Sequence, residues 1–103
     1  MGEDQRHSER VSYRCEVECS GVDGVSAGTA EIGDLSVTGA FIDTLIEFPV
    51  GKRLLLRLHL PLGLLVIQAE VAHVMQNFGM GVRFVGVTAE QQAALEAVLR
   101  GGA

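Results

Sequence analysis

Tryptophan is absent from this chain, tyrosine occurs once, and proline and cysteine occur twice each. Basic residues are also few: eight lysines and arginines stand against thirteen acidic residues, for a formal net charge of −5. Each shortage excludes something. A binder of single-stranded nucleic acid needs aromatic faces on which bases stack, and they are too few here. Duplex nucleic acid and anionic membranes need a basic face, which an acidic chain does not offer. An anionic ligand therefore has to be met by a local group of arginines. Cys15 and Cys19 would lie roughly 13 Å apart in a strand, beyond the ~7 Å that a disulfide allows. They read as buried free thiols of a reducing cytosol. There is no CxxC or Cys/His spacing for a metal. The most apolar stretch, Leu54 to Ile67, is interrupted by Arg57, His59, Pro61 and Gly63. It is also shorter than the ~20 residues of a membrane helix, so no membrane insertion is expected. Met1 to Arg10 is polar and does not read as a signal peptide. No Ser/His/Asp arrangement, metal cluster or phosphate-cradling Gly-rich loop is evident, so no enzymatic activity is expected.

What is present is alternation. Val11, Tyr13, Cys15, Val17 and Cys19 fall on one face of an extended segment and Ser12, Arg14, Glu16 and Glu18 on the other, the pattern of a half-buried strand. Asp23-Gly24 offers a tight turn. Further strands are expected at about Ser26–Ile32, Gly39–Asp43, Leu54–Leu60, Leu64–Met75 and Met80–Val87, with a polar loop from Gly33 to Thr38. Turns fall at Phe48–Gly51, Pro61–Gly63 and Gln76–Gly79. The last segment changes period. Thr88-Ala89-Glu90-Gln91 has the form of a capping box, Leu95, Val98 and Leu99 share one helical face, and Gly101 suits a C-terminal stop. The prior for 103 residues is one domain. The pattern predicts about six antiparallel strands, then one helix. Residues 1–10 are charged and lack apolar periodicity, so they read as a flexible arm ahead of a domain spanning 11–100.

Two short motifs carry the chemistry. Arg6-His7-Ser8-Glu9-Arg10 is RxxxR, and Asp34-Leu35-Ser36-Val37-Thr38-Gly39 is DxSxxG. Taken alone, the first is equally two charges on a solvated tail, and the second a turn in which Asp34 and Ser36 bond local backbone. Taken together, two guanidinium forks supply paired donors, while a carboxylate and a hydroxyl can accept and share hydrogen bonds.

The pair, in this order on a β-rich chain, resembles the signature of the PilZ domain family of bacterial cyclic di-GMP receptors. Pro49-Val50-Gly51, Glu70 to Val74 and Gly79 to Phe84 resemble later parts of the family pattern, so the likeness covers roughly residues 6–100. The resemblance implies an all-β fold, a six-stranded antiparallel barrel with a C-terminal helix. It implies a cytoplasmic receptor without catalytic role or cofactor, whose ligand is cyclic di-GMP. Arg6 and Arg10 are implied to contact phosphate and guanine, and Asp34 and Ser36 a guanine edge. Gly39 is implied to allow close approach of backbone and ligand. His73 falls where relatives place an aromatic residue near the ligand, and is a secondary candidate. Ligand binding is implied to order the arm and to change the surface shown to a downstream protein. The alternative is a PilZ-like protein-interaction module that binds no nucleotide. Gln5 stands where many relatives carry a further basic residue, which favours one bound ligand over a stacked pair. Arg14 and Arg83 read as surface charges.

Overall fold

The computed structural model describes residues 11–22, 26–46, 48–61 and 63–101. The arm, with Arg6 and Arg10, and the Asp23-Gly24 turn lie outside them. The strands are β1 (Val11–Gly21), β2 (Ser26–Leu35), β3 (Gly39–Asp43), β4 (Arg53–Leu60), β5 (Gly63–Met75) and β6 (Gly79–Val85), followed by helix α1 (Ala89–Leu99). They close into an antiparallel barrel in the order β1-β2-β3-β6-β5-β4, with β4 returning to pair with β1. Closure leaves no sheet edge. The expected architecture is the observed one, and the expected strands are found with small changes of boundary.

Alternation dictates the core. Val17 and Cys19 from β1, Leu54, Leu56 and Leu58 from β4, and Ile67, Ala69 and Val71 from β5 point into the barrel. Ile32, Leu35, Ala40, Ile42, Met80, Val82 and Phe84 complete it, Phe48 joins from the β3–β4 loop, and Leu95 and Val98 from α1. Both thiols remain free, and burial pushes each up to about 11, so they are neutral and unreactive near pH 7.

Two boundaries differ from the sequence pattern for local reasons. β2 continues to Leu35 instead of ending near Ile32. Gly33 is the extra residue of a bulge against β3, where the register runs Ile32↔Ile42 then Asp34↔Phe41, while against β1 the extra residue lies on β1, between Ser12↔Asp34 and Cys15↔Ile32. The bulge explains why Ile32 and Leu35, three apart, both point inward. β6 stops at Val85 because Gly86 adopts φ 64°, which turns the chain toward α1.

The helix begins as expected. Thr88 Oγ1 accepts from the Gln91 N–H at 3.1 Å, and Gln91 Oε1 accepts from the Thr88 N–H at 3.0 Å. The Gln91 amide also donates to the Val66 carbonyl at 2.8 Å, tying the cap to β5. Among the described residues no helix is long and apolar enough to cross a membrane. Thr88→Ala should lower stability by about 1 kcal/mol through loss of the cap. Leu95→Ala should cost about 2–5 kcal/mol through a core cavity. Urea unfolding followed by circular dichroism checks both values and their order.

Candidate functional site

The DxSxxG segment ends β2, turns, and enters β3. Ser36 is fully buried. Its N–H donates to the Gly39 carbonyl at 2.8 Å. Its Oγ accepts from the Thr38 and Gly39 N–H groups, both at 3.1 Å. The same oxygen lies 3.1 Å from Thr38 Oγ1 and 3.2 Å from the Gly39 carbonyl, where its proton finds an acceptor. A buried hydroxyl with this set of local partners holds the turn closed. The turn is fixed from outside as well, because the Phe84 N–H donates to the Thr38 carbonyl at 2.8 Å.

Gly39 has a structural reason to be glycine. A Cβ there would lie 2.2 Å from the Val82 carbonyl oxygen, a backbone atom that cannot move aside cheaply. The close approach it permits in this structure is that of β3 to β6.

Asp34 is half-buried in the last turnward part of β2, opposite Ser12 on β1 and Phe41 on β3. Inward-pointing Ala40 and Ile42 flank Phe41, so Phe41 and Asp34 share the outer face of the barrel. The row continues without a break: Phe41 is opposite Gly81 on β6, and Gly81 is opposite His73 on β5. The His73 ring occupies the space that a side chain at 81 would take, since a Cβ there would be 2.2 Å from its Cε1. The Phe41 and His73 rings consequently meet across the gap, with centroids 6.3 Å apart and planes inclined by 32°. One carboxylate and two rings thus lie in line over four strands. Such a face offers acceptors for a base edge at one end and flat apolar surface for a base along its length.

The charges flanking the row are paired. On one side Arg14 bonds Glu31 and approaches Asp43 at 3.4 Å. The Glu31 hydrogen bond is the main cause that raises its guanidinium above the ordinary value. Room for the Asp43 carboxylate comes from Gly33, where a Cβ would sit 2.9 Å from Asp43 Oδ1. On the other side Arg83 pairs with Glu70. Among the described residues no group of three His, Cys, Asp or Glu is placed to hold a metal.

The arm's attachment is also fixed. Val11, bonded to Arg10, is opposite Leu35, and Ser12 is opposite Asp34. The chain that carries RxxxR therefore leaves the barrel beside DxSxxG. Arg6 and Arg10 themselves lie outside the described residues. Asp34, Ser36, Gly39 and His73 fall in one neighbourhood, Ser36 and Gly39 beneath the surface and Asp34 and His73 on it. Phe41 and Gly81 were not singled out from sequence, although an outward aromatic between inward Ala40 and Ile42 is a detectable signal.

The model of the PilZ domain family matches residues 4–101. Among solved structures, the chain is similar to the PilZ domain of CeSA from a cellulose-synthesizing bacterium, with a TM-score of 0.74 and 20% identity over 91% of this chain and 97% of that one. It is similar to the PilZ domain of Escherichia coli YcgR with c-di-GMP, with a TM-score of 0.74 and 16% identity over 94% of this chain and 90% of that one. The inhibitor of motility MotI/DgrA of Bacillus subtilis gives a TM-score of 0.72 at 17% identity, over 89% of this chain and 49% of that protein. At such identities the likeness concerns the fold. No curated protein matches the chain.

Gly39→Ala should destabilise the barrel by about 1–3 kcal/mol, the scale of overpacking against backbone. Ser36→Ala should cost about 1–3 kcal/mol by depriving the buried Gly39 N–H and the part-buried Thr38 N–H of their acceptor. Denaturant midpoints without any ligand check both. Wild-type stability in either variant would mean that the turn is not held as described.

Proposed function

The chain belongs to the PilZ domain family, and on that basis we propose that it is a non-catalytic cytoplasmic receptor for cyclic di-GMP. The observation that carries the reading is the unbroken outer row from Asp34 through Phe41 and Gly81 to His73, with the RxxxR arm attached beside it. A guanine lying on the Phe41 and His73 rings brings its N1–H and N2–H₂ edge toward the Asp34 carboxylate, which accepts both. Arg6 and Arg10 supply charge-assisted bonds to phosphate and to the O6/N7 edge of guanine. Ser36 and Gly39 serve by holding the loop that presents Asp34.

The output follows from the arm. Ordering a residue costs roughly 1–2 kcal/mol of backbone entropy, so the arm closes over the ligand only where the arginine contacts offset that cost. Closing it alters the surface offered to a downstream protein, a shift in population between two states of one chain. The c-di-GMP in the YcgR structure supports the choice of ligand.

Calorimetric titration tests the proposal. Cyclic di-GMP should bind, and GMP and cyclic GMP much more weakly, because a mononucleotide, with one base and one phosphate, satisfies the two arginines and the base-reading row only in part. Asp34→Ala should cost about 1–3 kcal/mol of affinity. Arg10→Ala should abolish binding while leaving the unfolding midpoint unchanged, and Arg10→Lys should lose most affinity because an ammonium lacks the planar fork. No heat from cyclic di-GMP, or equal affinity for all three nucleotides, would leave a protein-interaction module as the better account.

A further inference from the structure

Arg83 occupies a position that the cyclic di-GMP reading does not yet use. It points outward on β6, two residues from Gly81, and its cross-strand partner on β3 is Gly39, the last residue of DxSxxG. Gly39 has no side chain, so nothing on β3 stands between the guanidinium and the loop. Two residues along a strand are roughly 6.8 Å, a distance that the arginine stem spans. The guanidinium of Arg83 therefore reaches the margin of the ring-lined row from the loop side.

It is held elsewhere at present. On β5, Glu70 is directly opposite Arg83 and forms an ion pair with it. The Arg83 side chain is 62% exposed, and an exposed pair of this kind is weak and exchangeable. Arg14, at the other margin, is gripped by both Glu31 and Asp43 and is less free to leave. A dinucleotide with two phosphodiesters over the row presents an anion to a guanidinium whose only described ion-pair partner is one carboxylate.

We infer that Arg83 is a further ligand-binding residue, which exchanges the Glu70 carboxylate for a phosphate of cyclic di-GMP, and that Glu70 restrains affinity by competing for it. This rests on the cyclic di-GMP reading above. The exchange gives the site a cation on the barrel itself, independent of the arm.

The test is titration of cyclic di-GMP into the wild-type chain, Arg83→Ala, Arg83→Lys and Glu70→Gln, each with its thermal midpoint. Arg83→Ala should weaken binding about ten- to a hundredfold, the worth of a hydrogen bond to a charged group. Arg83→Lys should recover part of that loss. Glu70→Gln should tighten binding several-fold, a change of opposite sign that damage to the fold does not produce. Arg83→Ala or Glu70→Gln binding as wild type would overturn the exchange while leaving the receptor reading intact. A wild-type chain that does not bind cyclic di-GMP removes the receptor reading and this inference with it.

Discussion

The pairing of β3 with β6 is the contact on which the rest of the site depends. It sets Gly39 opposite Arg83, Phe41 opposite Gly81 and Asp43 opposite Gly79. A slip of one residue would turn Phe41 into the core and Ile42 out to solvent. The register is over-determined. Inside, Ala40 and Ile42 are fully buried beside Met80 and Val82. Outside, glycine at 39 admits the Val82 carbonyl, and glycine at 81 admits the His73 ring. The bond from Phe84 to the Thr38 carbonyl then locks the loop to the same strand.

From that register the division of labour follows. The strand pairing fixes the row from Asp34 through Phe41 to His73, so in the proposed receptor little ordering cost falls on these residues. The proposed mechanism assigns that cost to residues 6–10, which precede Val11, the residue paired with Leu35. A receptor of the kind proposed separates recognition from signalling. In the proposed mechanism the row and the loop read the base, and the arm converts occupancy into a changed surface.

Much of the fold was legible because it is local. Strict alternation marked β1, the capping box marked α1, and interrupted apolar runs marked β4 and β5. The extent of β2 was not, because Gly33 looks like loop composition and its role as a bulge depends on the register with β3. The site was legible only as far as its motifs. Asp34 and His73 lie on the predicted surface, but their alignment runs through Phe41 and Gly81, whose pairing is a property of strand register and not of sequence spacing. For the same reason Arg83 reads as an ordinary surface charge until Gly39 and Glu70 are placed beside it. Ser36 reads as a ligand contact in the motif, whereas its hydroxyl is occupied by the turn.

The central claim is that the outer row and the arm together form one ligand site. Amide spectra of the uniformly labelled chain, recorded with and without saturating cyclic di-GMP, test it most directly. The account predicts shifts concentrated at residues 34–41, at His73 and at 81–83, accompanied by slowed hydrogen exchange of residues 6–10. Shifts confined to other parts of the barrel, or unchanged exchange of the arm at saturation, would contradict it.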